Sequence, residues 1–276
     1  MSRGSAIRDG ERFSDAETKQ ILAQFQQDGY CDFGPLLEAD EVEALRFDLQ
    51  NKWDDPQMRE AELDQIRGTS LMRMFEYSTA FRDLIVREPF ASLAEAILGE
   101  DCHCMSQNAL VTPPKADAIA DGPGGWHVDD LVHFPLTPDV PRHDPGIPLP
   151  CFVMQIFTPL TDVEEIVHGP TQVVPGSHFA GRSPEEQDHP AFDGKGPHSF
   201  LTKKTHAYLF NNQMWHRGAP NASERPRLMG GVTYSRRFVS QKFYPFIDYR
   251  MPEHVWEGAS PRLQRMLGRH EKGAYG

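Results

Sequence analysis

Hydrophobic periodicity changes abruptly near residue 100 of this chain. Before that point, apolar residues recur at spacings of three or four in residues 15–27, 39–52 and 79–98, which is typical of amphipathic helices. After it, short runs such as CFVMQIFTPL and LMGGVTYSRRF are separated by segments rich in Gly, Pro and Asp, which is typical of strands. Helices followed by many strands predict a mainly β fold with flanking helices outside one sheet.

The length of 276 residues suits a single domain over residues 1–276. We expect a helical N-terminal part at about 15–100, a β core at about 101–240, and a C-terminal tail at 241–276 that contains a short helix. Two long connections, residues 131–150 and 178–199, show no periodic pattern. Connections of that length inside a compact domain are often functional, so we interpret both as covers over a pocket.

Composition excludes several classes of partner. The formal net charge is −12, and no Lys and Arg cluster is interleaved with aromatic residues, which argues against nucleic acid. No apolar run is long enough to cross a bilayer and the first residues lack a secretory signal, so we expect no membrane association and a cytoplasmic location. The cysteines form no CxxC pair, and we expect reduced thiols at Cys31, Cys102, Cys104 and Cys151.

The clearest chemical motif is the segment GGWHVDD. Residues two apart in a strand project to the same face, so His127 and Asp129 can direct an imidazole and a carboxylate at one point. By the same alternation, Val128 and Asp130 point away. The motif therefore offers two ligands of a metal site, and a third has to come from elsewhere in the chain.

His216 is the best candidate for the second imidazole among the twelve histidines. It lies at the end of the strand-like AYLFNNQMW and precedes a turn-rich segment and a returning strand. Across such a hairpin, Arg227 can lie beside His216 on the neighbouring strand. The pattern thus predicts a metal ligand next to a fixed cation.

Two neutral imidazoles and one carboxylate on one face of Fe(II) leave three positions open, which suits the activation of dioxygen. 2-Oxoglutarate can fill two of them through its keto and C1 carboxylate oxygens, and its C5 carboxylate then needs a counter-ion. Guanidinium offers two parallel donors that match a carboxylate. These requirements favour His127, Asp129 and His216 as ligands of Fe(II) and Arg227 as the anchor of 2-oxoglutarate.

Four stretches, taken in order, resemble the phytanoyl-CoA dioxygenase family, a branch of the Fe(II)/2-oxoglutarate oxygenases. They are QFQQDGYCDFGPLLEADEVEALR, WHVDD, HGPTQVVPGSH and WHRGAPNASERPRLMGGVTYS, and they extend from about residue 24 to residue 235. The family pattern combines HxD, a GP…PGSH segment and a His that is followed eleven residues later by Arg. Arg227 follows His216 at that spacing.

The resemblance implies a double-stranded β-helix, which is a jelly-roll, cupin-like barrel with iron at its open end. It implies that the three ligands hold Fe(II), that Arg227 anchors 2-oxoglutarate, and that dioxygen is consumed while succinate and CO₂ are released. The expected partner is a small-molecule substrate; the family acts on acyl thioesters, amino-acid-like osmolytes and natural-product intermediates. Related halogenating enzymes replace the carboxylate ligand by a small residue, so the retained Asp129 favours hydroxylation or another oxidation without halide.

Further polar residues compete for places in the site. The resemblance puts Gln155 and Thr171 near the co-substrate, and Asn108 can donate to its C1 carboxylate; ordinary polar residues of the barrel are an equal interpretation of all three. Arg225 is the rival of Arg227, but it precedes a proline that biases it toward a turn.

Several histidines and aromatic residues have structural alternatives. His133 can complete a local three-ligand site in HVDDLVH, although strand alternation argues against it. His178 of the PGSH segment is interpreted as a residue that orders a turn, and Trp126 and Trp215 as core packing. Basic groups at His133, Arg142 or Arg237 could meet an anionic substrate, with surface charge as the alternative.

Two other functions stay open at this point. One is a metal-dependent hydrolase or isomerase on a cupin-like barrel, with zinc or manganese at the same three ligands; Arg227 at the expected spacing disfavours it. The other is a barrel without catalytic activity that binds or senses a small molecule, which the complete set of ligands disfavours.

Overall fold

The computed structural model describes residues 8–58, 69–185, 188–243 and 248–271. The residues outside the described part are therefore 1–7, 59–68 of the predicted N-terminal part, 186 and 187 of the second long connection, and 244–247 and 272–276 of the predicted tail. The helices are α1 (Asp15–Asp28), α2 (Ala39–Trp53), α3 (Met74–Tyr77), α4 (Thr79–Leu84), α5 (Phe90–Leu98) and α6 (Pro261–Met266). The strands are β1 (Tyr30–Pro35), β2 (Ser70–Leu71), β3 (His103–Thr112), β4 (Val153–Pro159), β5 (Thr171–Val173), β6 (His198–Ser199), β7 (His206–Asn211), β8 (His216–Gly218) and β9 (Arg227–Ser235).

The predicted helices are confirmed, and local sequence explains their limits. Ser14 caps α1 in a capping box with Glu17, in which each side chain bonds the other residue's backbone N–H. The helix ends at Gly29, whose φ of 84° is a left-handed conformation that favours glycine. The pattern at residues 79–98 forms two helices, because Pro89 separates α4 from α5.

Two antiparallel sheets form the β core, and helices pack on the larger one. The six-stranded sheet has the order β1-β7-β4-β9-β3-β2, and the three-stranded sheet has the order β6-β5-β8. Apolar residues of the N-terminal helices and of one face of the larger sheet share a single core cluster, whereas Phe157, Val173 and Tyr208 belong to a second cluster between the sheets. The predicted mainly β fold with flanking helices is confirmed.

Strand β9 shows how one sheet serves two environments. Leu228 and Val232 belong to the core that the helices cover, whereas Arg227, Met229 and Thr233 line a cavity between the sheets. This alternation is the two-residue period of a strand, and it places Arg227 on the same face of the sheet as Met229 and Thr233.

Two adjacent glycines in β9 give a matched test of this packing. A Cβ on Gly231 would lie 2.4 Å from Cδ1 of Phe157 and 2.7 Å from the carbonyl oxygen of Ile156, so the ring of Phe157 already fills the space beside this glycine. A Cβ on Gly230 would meet nothing closer than 3.5 Å, at Phe81.

We expect Gly231→Ala to lower the free energy of unfolding by about 1–3 kcal/mol, because overpacking forces strand and ring apart. Gly230→Ala should not destabilise the protein, because its methyl group finds ordinary contact and alanine restricts the unfolded chain. Urea unfolding of both variants checks the difference. Equal stability of the two variants would contradict the packing described for Phe157.

No helix in the described part of the chain is both long and apolar enough to cross a membrane. The four cysteines are buried free thiols, as expected from their spacing.

Candidate functional site

The structure corrects the predicted position of His216. Strand β7 ends at Asn211, and a turn closed by the bond from Met214 N–H to Asn211 C=O precedes β8, of which His216 is the first residue. β8 lies in the smaller sheet, and Arg227 begins β9 in the larger sheet. His216 and Arg227 therefore face the cavity from opposite sheets and are not hairpin neighbours, because the turn-rich connection crosses between the sheets.

Backbone pairing brings His127 to His216. Each N–H donates to the other residue's carbonyl at 3.0 Å, which forms an antiparallel bridge. The N–H of Asp129 then donates to Asn212 C=O at 3.3 Å. The HxD segment is thus extended as predicted, and it lies beside β8.

The side chains of His127, Asp129 and His216 converge on one point. Nε2 of each histidine lies 3.5 Å from an Asp129 carboxylate oxygen, and one candidate ligand atom from each residue lies within 4.8 Å of the others. Among the described residues, these three are the group of His, Cys, Asp and Glu side chains that could hold a metal ion. His133 does not join them.

Backbone carbonyl groups fix both imidazoles for this role. Nδ1 of His127 lies 2.7 Å from Gly125 C=O, and Nδ1 of His216 lies 2.8 Å from Met214 C=O. Since a carbonyl only accepts, each Nδ1 carries a proton, which leaves Nε2 as the ring nitrogen that can bind a metal at the convergence point. Neutral imidazoles with this tautomer fit a divalent metal.

The carboxylate is held ionised and oriented. Burial by itself raises the pKa of Asp129, but attraction to the His216 ring and N–H donation from the His216 and His127 rings outweigh it and hold the pKa well below its usual value; a divalent ion bound at the same Nε2 atoms would act in the same direction. Nε2 of Gln155 donates to Asp129 Oδ2 at 2.5 Å. The amide of Gln155, predicted as a contact to the co-substrate, is thus bonded to Asp129 in this structure and orients that carboxylate.

Arg217, which the sequence analysis did not identify, holds the segment that leads into His127. Its buried guanidinium donates to the carbonyl groups of Gly122 and Gly124 and to the carboxylate of Asp121, and it lies over the ring of Trp126. Gly124 itself has a φ of 90°, which favours glycine. The Gly-Gly-Trp sequence before His127 therefore has a structural reason, and Trp126 and Trp215 are core residues as expected.

Asp130 contradicts simple strand alternation. Its φ is 58°, a left-handed conformation that is uncommon for a residue other than glycine but that Asp tolerates. This turn directs its side chain into the cavity, where it forms an ion pair with Lys242. The prediction that Asp130 points away was wrong because the extended conformation ends at Asp129.

A cavity of about 580 Å³ contains the three converging residues. Its lining follows β9 from Arg227 to Thr233, about 20 Å at the rise of a strand. β3 runs antiparallel beside it, with Thr112 opposite Arg227 and Ser106 opposite Thr233. We call the part near Arg227 the arginine end and the part near Ser106 and the partly exposed Lys242 the open end.

The arginine end holds a buried cation without an acidic partner among the described residues. Arg227 is 6% exposed; one Nη donates to Gly169 C=O and the other donates to Thr112 Oγ1 at 3.0 Å. Its Nε has no hydrogen-bond partner, and burial lowers the pKa of the guanidinium. A buried charge of this kind is costly unless an anion binds it, so the residue fits the far carboxylate of a diacid.

The remaining polar residues predicted for the site line the same cavity. Thr171 lies at the arginine end, where its Oγ1 accepts from Tyr208 at 2.9 Å. Burial raises the pKa of Tyr208 to about 12, so its hydroxyl stays protonated and can donate. Asn108 lines the middle of the cavity and donates to Thr233 Oγ1 at 2.7 Å.

Other predicted participants lie elsewhere. Arg225 is exposed and donates to Asp162 C=O, so it does not compete with Arg227. No described residue of 131–150 or 178–199 lines the cavity. The two connections instead bind each other, for example through Arg142 and Asp193 and through His143 N–H and Phe179 C=O. The structure does not support the interpretation of these connections as covers over the pocket.

His178 of the PGSH segment is buried away from the metal candidates, and Nε2 donates to Gln26 C=O at 3.1 Å. Burial lowers the pKa of this histidine to about 4. The unfolded chain therefore binds more protons below about pH 6.5, and stability is lost as pH falls from there toward 4.

The shift corresponds to about 3 kcal/mol, so we expect His178→Gln to flatten the loss of unfolding free energy over this range. Glutamine keeps a donor for Gln26 and does not titrate. Urea unfolding of the metal-free protein at several pH values checks this, with His189→Gln at an exposed position as the control. An unchanged pH dependence in His178→Gln would contradict the role of buried His178.

The family model for phytanoyl-CoA dioxygenase (PhyH) matches residues 25–229. The fold is similar to that of the epimerase SnoN, which was solved in complex with Fe3+, alpha ketoglutarate and nogalamycin RO. The TM-score is 0.61 and the sequence identity is 17%, and the match covers 86% of this chain and 91% of that chain. It is similar to the non-heme monooxygenase ThoJ in its nickel complex, with TM-score 0.58, 17% identity and 90% and 98% coverage. It is also similar to the carbocyclase SnoK from nogalamycin biosynthesis, with TM-score 0.59 and 18% identity over 84% of this chain and 88% of that chain. These likenesses confirm the predicted jelly-roll fold.

Proposed function

This chain belongs to the phytanoyl-CoA dioxygenase family, and on that premise we propose that it oxidises a small organic molecule with Fe(II), 2-oxoglutarate and dioxygen. The observation that carries the proposal is one cavity in which two imidazoles and a carboxylate converge and a buried guanidinium has no acidic partner among the described residues. This donor set leaves open positions on a ferrous ion.

Each residue has a definite role in the proposal. His127, Asp129 and His216 bind the metal, with both imidazoles oriented by backbone carbonyl groups and the carboxylate by Gln155. Arg227 binds the C5 carboxylate of 2-oxoglutarate. Gly218, two residues and thus roughly 7 Å along β8 from His216, has no side chain and leaves room for Arg227: a Cβ there would lie 3.2 Å from Nη2.

Thr171 and Asn108 are proposed to contact the co-substrate through hydrogen bonds. Thr171 already accepts from Tyr208, so its hydroxyl proton is available to a carboxylate at the arginine end. Asn108 lines the cavity and keeps a second N–H and a carbonyl oxygen that can bond a ligand.

Bound Fe(II) and 2-oxoglutarate supply the activation of dioxygen, with release of succinate and CO₂. The chain's own contribution is to fix the ligands, to neutralise the diacid inside a buried cavity and to hold the substrate at the open end. Hydroxylation is the outcome we propose, since Asp129 keeps the carboxylate ligand and leaves no place for halide.

The test is succinate formation from 2-oxoglutarate, measured with Fe(II), with zinc or manganese in its place, and after removal of metal by a chelator. We expect succinate formation with Fe(II), but not with zinc or manganese and not after chelation. Once a substrate is found, mass spectrometry distinguishes a product with one added oxygen from one that has lost two hydrogens or kept its mass. Tight 2-oxoglutarate binding without succinate under any of these conditions would favour a binding protein instead.

A further inference from the structure

The open end of the cavity contains an ion pair that the metal site does not require. Lys242 Nζ donates to Asp130 Oδ1, and both side chains line the cavity. The left-handed backbone of Asp130 turns this side chain inward. The backbone of Lys242 is fixed as well, because its N–H donates to Met105 C=O.

Asn212 supplies an acceptor beside the pair. Its Nδ2 lies 3.4 Å from the second carboxylate oxygen of Asp130, whereas its Oδ1 has no hydrogen-bond partner although the residue is 1% exposed. A buried carbonyl oxygen without a donor costs free energy. A ligand that brings an O–H or N–H to this position would satisfy it.

Other charges of the cavity are already committed. Arg217 uses its guanidinium on Gln172, Asp121 and two carbonyl groups, and Arg227 lies at the opposite end. Among the described residues, the charges offered to a substrate at the open end are thus those of Asp130 and Lys242, which balance each other. A ligand with one net charge would have to break this pair without replacing it.

We infer that the substrate is a neutral, polyhydroxylated molecule of the polyol or glycoside type, and that Asp130 and Lys242 determine this specificity. The inference rests on the proposed function. One substrate hydroxyl donates to Asp130, an adjacent oxygen accepts from Lys242, and a further hydroxyl donates to Asn212 Oδ1. Met72 and Met105 in the same lining offer apolar contact to the carbon skeleton.

Three probes of one shape test the inference: phenyl β-glucopyranoside, phenyl β-glucuronide with a carboxylate, and phenyl 2-amino-2-deoxy-β-glucopyranoside with an ammonium group. Binding to the oxygen-free protein loaded with Fe(II) and 2-oxoglutarate is measured by equilibrium dialysis and phenyl absorbance. We expect the neutral glycoside to bind about tenfold more tightly than either charged probe. Asp130→Asn should shift the preference toward the glucuronide, and Lys242→Met should shift it toward the amine.

The exposed pair of Lys195 and Asp28 provides matched controls, since its side chains are exposed to a similar degree outside the cavity. Lys195→Met and Asp28→Asn should keep the wild-type order. The inference is overturned if a charged probe binds best, if no probe binds at millimolar concentration, or if the Asp130 and Lys242 variants keep the wild-type order. Dialysis of 2-oxoglutarate in the same samples distinguishes failure of the proposed function from failure of the inferred specificity. If 2-oxoglutarate does not bind, the proposed function is overturned, and this inference with it.

Discussion

Asp129→Ala is expected to abolish iron-dependent turnover of 2-oxoglutarate while the chain remains folded. The carboxylate is the anionic ligand among the three converging side chains, and even the loss of a group that only orients a ligand lowers metal affinity about 10–100-fold. Removing the ligand itself should therefore lower Fe(II) affinity by more than roughly a hundredfold.

Thermal unfolding gives a readout that does not depend on activity. Metal that binds the folded chain stabilises it by about 4 kcal/mol when the free metal is a thousand times Kd. Wild-type protein should gain this stability with Fe(II) in the absence of oxygen, whereas Asp129→Ala should gain less than about 1.5 kcal/mol at the same metal concentration. Asp117→Ala, at an exposed position, is the control that should behave as wild type. An equal gain in Asp129→Ala would contradict the assigned ligand.

Arg227→Ala should chiefly raise the KM for 2-oxoglutarate. Loss of one partner of a buried ion pair costs about 3–5 kcal/mol, so we expect an increase of at least roughly a hundredfold. Because the guanidinium binds the carboxylate that does not react, ground state and transition state lose the same contact and kcat at saturation should change little. Succinate formation at increasing 2-oxoglutarate separates the two constants.

Two further variants keep this prediction interpretable. Arg227→Lys retains the charge without the planar pair of donors, so its KM should lie between those of wild type and Arg227→Ala. Lysine also leaves less empty space in the buried site than alanine does. Arg225→Ala removes an exposed guanidinium two residues away and should leave KM unchanged. A normal KM in both Arg227 variants, or a raised KM in Arg225→Ala, would contradict the role of Arg227 as anchor.

Sequence periodicity was sufficient for much of this fold, because local rules govern the features concerned. The helical spacings in residues 15–27 and 39–52 and the short strand-like runs after residue 100 depend on neighbours a few residues apart. The HxD spacing likewise predicts that His127 and Asp129 share a face. The pairing of strands into sheets is not local, which is why His216 was expected at the end of β7 and beside Arg227.

The parts of the site that sequence analysis missed depend on contacts between distant segments. Arg217 looks like one more polar residue after His216, and only the folded chain brings it to the carbonyl groups before His127. Lys242 belongs to no motif and reaches the cavity because its backbone is bonded to β3. Asp130 had a usable signal, since Asp tolerates left-handed backbone, but alternation alone predicts the opposite face.

The most direct test of the account is a titration of metal-free protein with Fe(II) in the absence of oxygen, with and without 2-oxoglutarate. Bound iron and the visible charge-transfer absorption of an Fe(II)–2-oxoglutarate chelate are measured together. We expect one iron per chain, a band that needs both components, and loss of both signals in Asp129→Ala. Iron that binds the wild-type chain and Asp129→Ala equally well, or 2-oxoglutarate that produces no band, would contradict it.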